Sequence, residues 1–415
     1  MEVAVPDVAV RPEARAWGGR ILLIAGLLLV AANLRASLTG VGPLLGTVSA
    51  ELGLAPATAG ALNTLPLLAF AVVSPLAPAL ARRLGLERAL LAALLSLAIG
   101  LAVRSMPSTV PLFTGTALIG VSIAVVNVLL PSLIKRDFPG SVGMMTGAYV
   151  VVMGTMASVS SGVMVPISEA VPGGWRTALG CWLILALLAT LVWLPQTTRR
   201  GSTHAEPGSA LAVRLPWTSP LAWAVTVFMG LQSYGFYVMI TWLPSVLHDN
   251  GVSEAAAGWY LFVFQGVGVV ASLIVPLLMR RLPDQRVLAS AASLTSLVGY
   301  LGLLAFPDLS PLWSPISGFG CGLCIVLALS MLSLRAQDTP SSAALSGMAQ
   351  SIGYLLAAVG PPLFGLLHSI SGGWSTPLVM LCLVTVVQAS VGFIAGRGSI
   401  QPAAKRSGGS DGRAA

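Results

Sequence analysis

The sequence predicts an all-α membrane protein of twelve transmembrane helices, arranged as two six-helix, pseudo-symmetric halves. Three observations predict this. Hydrophobic residues make up 56% of the 415-residue chain and charged residues only 9%, with a mean hydropathy of +0.88; a soluble domain carries about 25% charged residues. The apolar residues gather into long segments, and the loops between alternate segments hold nearly all the Lys and Arg. A set of loop residues then recurs at one offset near 198.

Taken in order, the apolar segments run at about 20–46, 57–80, 88–106, 110–133, 141–166, 175–194, 219–247, 254–279, 286–306, 310–334, 341–367 and 374–396. Their lengths suit helices crossing a bilayer, which takes about 20 residues. Residues 1–19 carry mixed charge and read as a cytoplasmic tail. A cleaved signal peptide is not expected, because the first segment continues past Ala31 and Ala32 to Leu45. Residues 195–218 are polar, contain Arg199, Arg200 and Arg214, and read as a cytoplasmic central loop. They separate a bundle at 20–194 from a bundle at 219–396. Residues 397–415 form the second cytoplasmic tail.

Orientation follows from the basic residues. With both termini in the cytoplasm, 19 of the 22 Lys and Arg fall on the inside. Arg104 and Arg176 fall outside, and Arg35 falls within a segment. Cytoplasmic loops are enriched in this way, so a multi-pass protein of the plasma (inner) membrane is expected. The same distribution argues against a nucleic-acid partner, which needs clustered charge. The expected surroundings are a lipid bilayer and a small-molecule substrate, with the chain acting as a monomer.

The repeat fixes the halves. Pro78-Ala-Leu-Ala-Arg-Arg-Leu-Gly-Leu-Glu-Arg-Ala-Leu90 follows the second segment, and Pro276-Leu-Leu-Met-Arg-Arg-Leu-Pro-Asp-Gln-Arg-Val-Leu288 follows the eighth; seven of 13 positions are identical. Ala57-Thr-Ala-Gly60 matches Ala255-Ala-Ala-Gly258, and Gly173-Gly-Trp175 matches Gly372-Gly-Trp374. Arg136-Asp-Phe-Pro139 resembles Arg335-Ala-Gln-Asp-Thr-Pro340. Each match lies in the equivalent loop, as duplication of a six-helix unit requires. Two such halves related along the membrane normal are the major facilitator arrangement, whose substrate site lies between them near the midplane.

Longer stretches carry a narrower resemblance. Asn33-Leu-Arg-Ala-Ser-Leu-Thr-Gly-Val-Gly-Pro-Leu-Leu45 resembles the first helix of the cyanate/2-nitroimidazole transporter family. Asn127-Val-Leu-Leu-Pro-Ser-Leu-Ile-Lys-Arg-Asp-Phe-Pro139 resembles its fourth helix and following loop. Phe228-Met-Gly-Leu-Gln-Ser233 with Phe236-Tyr237 resembles its seventh, and Leu345-Ser-Gly-Met-Ala-Gln-Ser-Ile-Gly-Tyr354 with Gly360-Pro361 its eleventh. The resemblance spans about residues 20–396. It implies a secondary transporter working by alternating access on a small anion or dipolar solute such as cyanate, or alternatively exporting nitroimidazole-like compounds. The rival from another class, a membrane sensor that binds a ligand without moving it, is less expected, because only a 24-residue central loop and short tails are there to serve as an output domain. In the basic loop after the second segment, Arg83, Leu84 and Gly85 fit the superfamily's loop signature, while Pro78 and Arg82 stand where Gly and Asp are usual.

Arg35 is the first candidate for the substrate. It lies 14 residues past Ile21 and 10 before Leu45, roughly 21 Å and 15 Å along a helix. Neither membrane surface is within easy reach of its side chain. Estimates for an Arg at the bilayer centre run from about 2.5 to above 10 kcal/mol. No Asp or Glu lies in an apolar core to neutralise it, so it is expected to be the one interior charge, meeting an anion through its planar fork of donors. The alternative is an Arg tied to backbone carbonyls.

Thr39 lies one turn on, on the same face. Asn33 is about 200° around the helix from Arg35 and would serve the substrate or bind a neighbouring helix. In the second half, Gln232 sits in an i, i+4 stripe with Phe228 and Phe236, next to Tyr237. Gln350 and Tyr354 are likewise i, i+4. Asn127, Tyr149 with Met153, and Gln265 complete the substrate-binding candidates. Arg82, Arg83, Arg280 and Arg281 occupy symmetric loops and are expected to act at an inner gate.

Other readings are weaker. Cys321-Gly-Leu-Cys324 has metal-like spacing, but with no second ligand pair it reads as small residues in a Gly-rich helix. Gly318, Gly320 and Gly322 read as positions of close helix packing. His204, His248 and His368 fall in loops or at segment ends and read as solvated. No catalytic carboxylate pair, Ser-His-Asp set or phosphate loop is present, so neither an enzyme nor a bound cofactor is expected. Without an Asp, Glu or His inside a segment, exchange or downhill movement of the substrate is expected rather than proton coupling.

Overall fold

The protein is described by a computed structural model over residues 12–138, 141–198, 217–279, 281–336 and 339–398. Twelve helices in it are long and apolar enough to cross a membrane. Those of the first half are Arg20–Thr39, Pro56–Leu84, Leu86–Arg104, Thr109–Ile134, Met144–Ala170 and Trp175–Thr197. Those of the second are Pro220–Asp249, Glu254–Met279, Arg286–Ala305, Pro307–Leu332, Leu345–Ser371 and Ser375–Ala395. They are spans 1 to 12 below. Arg82, Arg83 and Arg281 mark one end of the bundle, the basic end; Glu51, Asp249 and Glu254 mark the other, the acidic end. Most of the central loop and both outer tails lie outside the described residues, as does Arg280.

The first apolar segment is two helices, not one. Span 1 stops at Thr39, and a separate helix, Val41–Leu52, continues to the acidic end. Pro43 gives the reason. It has no N–H to offer the carbonyl four residues back, which is that of Thr39, and its ring crowds that carbonyl. Ser161 Oγ of span 5 donates to the freed Thr39 carbonyl at 3.5 Å.

Spans 3, 6, 9 and 12 form the periphery. Leu95 and Ile99, Ile184 and Leu191, Leu294 and Val298, Leu383 and Ile394 point outward and exposed, as apolar residues do against lipid. Inside, glycines bring helices close. A Cβ at Gly318 would strike the Phe264 carbonyl, one at Gly322 would strike Gly268, and one at Gly320 would strike Ser296. Cys321 and Cys324 are free and buried beside them, with Tyr300 and Ser293 at their sulfurs.

The two halves meet at the acidic end and part toward the basic end. Asn63 Nδ2 donates to Thr241 Oγ1 at 2.9 Å, and Thr64 Oγ1 to the Ala358 carbonyl at 2.8 Å. Gly60 and Gly365 press against the backbone of Pro361 and Pro56, and Gly42 against Ile240. Thr47 Oγ1 donates to Glu254 at 3.1 Å. Near mid-depth Phe70 meets Tyr354 edge to face, centroids 5.4 Å apart. Toward the basic end, Gly147 of span 5 and Gly347 of span 11 have open space where a Cβ would stand. Asn127 and Pro131 on span 4, and Met144 on span 5, are exposed there. A polar Asn inside a span is tolerated where it lines a wet cleft. Among the described residues the halves are therefore closed at the acidic end and leave a cleft toward the basic end.

Candidate substrate site

Arg35 sits at the closed end of that cleft. It is half-buried, and it reaches across to the second half. Its Nη1 donates to Tyr237 Oη at 3.4 Å. Its guanidinium carbon lies 5.3 Å from the Phe236 ring centre and 5.8 Å from that of Tyr237, within the range of cation–π attraction. Phe236 stacks in turn on Phe264 of span 8, centroids 6.2 Å apart. Tyr354 of span 11 lies near Arg35, Tyr237 and Tyr149. Among the described residues Arg35 makes no ion pair. Spans 1, 5, 7 and 11 thus bring one cation and three phenols together, with the Phe236 ring beside them.

The backbone behind Arg35 is braced from three sides. Thr39 Oγ1 donates to the carbonyls of Arg35 (3.1 Å) and Ala157 (3.0 Å), so it joins span 1 to span 5. Ser160 Oγ donates to the Ala36 carbonyl at 2.7 Å. Gln265 of span 8 reaches the same Ala157 carbonyl at 3.2 Å and also donates to Ser161 Oγ. Arg104 supplies the third brace. It is 0% exposed, and it donates to the carbonyls of Ser37 (2.5 Å) and Leu179 (3.3 Å).

Arg104 corrects the sequence reading twice. It is not in an outside loop, and Arg35 is not the one interior charge. Its position at the end of span 3 hid it: the chain turns there, but spans 1 and 6 cover the guanidinium. A segment boundary drawn from hydropathy does not show what packs over a boundary residue.

The remaining candidates divide. Asn33 is buried and donates to the carbonyls of Leu29 (2.8 Å) and Leu185 (3.3 Å), tying span 1 to span 6 away from Arg35. Gln232 is buried, and its amide nitrogen bonds Met229 and Ser233 on its own helix. The stripe expected with it does not form one wall: Phe228 packs on Gly392 of span 12, while Phe236 meets Arg35. Thr39 and Gln265 are in the brace rather than on the cleft surface. Gln350 is half-exposed and donates to Ser346 at 2.8 Å, beside the open space at Gly347. Asn127 is exposed on span 4 toward the basic end. Arg82, Arg83 and Arg281 are exposed at the basic end. His368 is not simply solvated: its ring lies 3.8 Å from that of Trp374. His204 lies outside the described residues. Phe70 and the Ser160–Ser161 pair were missed, because nothing in their local sequence sets them apart from packing residues.

A guanidinium among phenols and a phenylalanine face can hold a small planar solute by two means. Its donors suit an anionic or strongly dipolar group, and the rings offer flat apolar surface. Among the described residues no group of three His, Cys, Asp or Glu could hold a metal ion.

Comparisons with known proteins agree with the twelve-span fold. A family model described as Major Facilitator Superfamily matches residues 27–361. The chain is 47% identical to the 2-nitroimidazole transporter of Escherichia coli over 91% of this chain and 96% of that protein. It is 28% identical to the cyanate transport protein CynX of Escherichia coli over 88% of this chain and 96% of that protein. Among solved structures it resembles a bacterial homologue of the human lysosomal transporter Spinster, in an inward-facing and unoccupied conformation. The TM-score there is 0.75 and the identity 15%, over 91% of this chain and 96% of that one.

Proposed function

This chain belongs to the Major Facilitator Superfamily, and on that premise we propose that it moves a small planar solute with an anionic or strongly dipolar end, held by Arg35, across a bacterial plasma membrane. The coarser statement needs no proposal: its fold and its relatives are those of multi-pass membrane transporters, not enzymes. In the proposed orientation the basic end faces the cytoplasm, and the cleft is the inward-open stage of alternating access. Substrate enters between the halves and binds Arg35 and Tyr237. The acidic-end contacts Asn63–Thr241, Thr64–Ala358 and Thr47–Glu254 then part as the basic end closes. Arg82, Arg83 and Arg281, with Arg280, would approach one another at that closure.

The observation that carries the reading is the single half-exposed guanidinium at the cleft's closed end, faced by aromatic rings. Those rings favour a flat heteroaromatic such as a nitroimidazole over a linear ion such as cyanate, which uses the cation alone. The higher identity to the 2-nitroimidazole transporter supports the same choice. Asn127, Tyr149, Gln350 and Tyr354 are the candidates that remain along the path. Asn33 and Gln232 are better explained by helix packing.

The test is binding and counterflow of 2-nitroimidazole and of cyanate by purified protein, native and Arg35→Ala. Removing one partner of a charged hydrogen bond weakens binding by about 2–5 kcal/mol. Arg35→Lys should recover little, since an ammonium lacks the planar fork. Undiminished affinity in folded Arg35→Ala protein would end the proposal.

A further inference from the structure

Resting on that reading of Arg35, we propose that the same site takes aromatic carboxylates, and that the chain exports them as anions driven by the membrane potential. A nitro group and a carboxylate have the same planar shape with two terminal oxygens. They differ in charge. The neutral nitro group leaves the Arg35 cation without a counter-charge, and among the described residues none is supplied by the protein. A carboxylate supplies it, and a desolvated cation gains from a paired anion what a neutral dipole cannot give.

The neighbouring hydroxyl fits the same ligand. Tyr237 Oη accepts from Arg35, so its own proton is free to be donated, and a second carboxylate oxygen is an acceptor for it. Phe236 and the edge-to-face pair Phe70–Tyr354 provide flat apolar surface for the ring.

The direction follows from charge. The described spans contain no acidic residue at mid-depth that would carry a compensating proton. One cycle therefore moves one negative charge, whichever half-cycle bears it. An inside-negative potential pushes that charge outward, at equilibrium to a ratio of about 50-fold per 100 mV.

The experiment uses the full chain with benzoate and nitrobenzene, a shape-matched pair. In detergent, benzoate should bind at least about tenfold more tightly than nitrobenzene, a gap that corresponds to the loss of one charge-assisted contact. Arg35→Ala and, independently, Tyr237→Phe should narrow the gap by weakening benzoate more than nitrobenzene. In proteoliposomes at pH 8, with protein-free liposomes as the control, benzoate should produce a current with the sign of a moving anion. Its final distribution should follow a potential set with potassium and valinomycin. Equal affinity for the pair, or benzoate flux without current, overturns this inference. If 2-nitroimidazole still binds in an Arg35-dependent way, the proposed function survives that failure; if neither class depends on Arg35, both fall.

Discussion

The two halves descend from one pattern, yet they hold different chemistry. At the acidic end they agree. Trp175 Nε1 donates to Glu51 at 2.6 Å, and Trp374 Nε1 donates to Asp249 at 2.7 Å, at equivalent positions of the repeat. Elsewhere the first half keeps charge where the second does not. Arg176 also holds Glu51, at 2.6 Å, where the second half has Ser375. Arg136 pairs with Glu87 at 2.6 Å; the equivalent Arg335 meets Gln285 and the carbonyls of Gly396 and Gly398. Arg35 and Arg104 align with Ser233 and Gly302. At that last position the space is refilled in reverse: Arg104 packs on Gly115, whereas Gly302 packs under Trp313. The difference teaches a division of labour: the first half supplies the cation of the candidate site, and the second supplies most of its rings.

The largest test of that division is at the site. Arg35→Ala should weaken binding of a 2-nitroimidazole-like ligand by roughly 30-fold or more, while the equivalent Ser233→Ala changes it little. Isothermal titration of both variants checks this; equal losses would dissolve the asymmetry.

The size exchange comes next. Gly115→Ala and Gly302→Ala should each cost about 1–3 kcal/mol by overpacking. The obstacle at Gly302 is the Trp313 ring, so Trp313→Leu should restore part of the loss. The obstacle at Gly115 is the backbone of Arg104 and Gly100, so Arg104→Ala should not rescue it. A melting-temperature cycle over the two pairs separates these outcomes.

A smaller effect is expected at the basic end. Burial pulls the Arg335 guanidinium below its ordinary range, opposed by nearby Asp284. Gln285→Glu would give Arg335 the carboxylate that Arg136 already has and should stabilise by about 1 kcal/mol. Glu87→Gln should lose a similar amount. If both changes destabilise in thermal melts, the clamps are not equivalent.

The smallest effect concerns pH. The hydrogen bond from Arg176, then that from Trp175, holds the Glu51 carboxyl below its usual range. A depressed folded value means the clamp contributes at neutral pH and is lost as pH falls through that value. Native protein and Glu51→Gln should therefore differ in melting temperature at pH 7 and converge in acid. A constant gap across that range would show that the charge is not what Glu51 provides.

Much of this was legible in the sequence, for local reasons. Span number follows from apolar length, and the halves follow from an offset that survives in the loops. Arg35 stands out because an Arg inside an apolar run is costly wherever the neighbours lie. Asn33 was placed away from Arg35 by helical angle alone, and the structure ties it to span 6. What could not be read is what covers a residue. Arg104 looked like a loop cation; Gln232 looked like a wall residue, and its amide stays on its own helix.

The sequence by itself determined the membrane class, the twelve spans, their pairing into two halves, and the presence of a cation deep in the first span. These depend on residues close in the chain or on a register of identical loops. Only the tertiary structure decided that Arg35 meets Tyr237, 202 residues away, that Arg104 holds the Ser37 carbonyl, 67 residues away, and that the halves close at the acidic end. Such contacts arise from the packing of distant spans, which hydropathy does not encode, because a residue turned toward lipid and one turned toward a neighbouring helix can have the same apolar flanks.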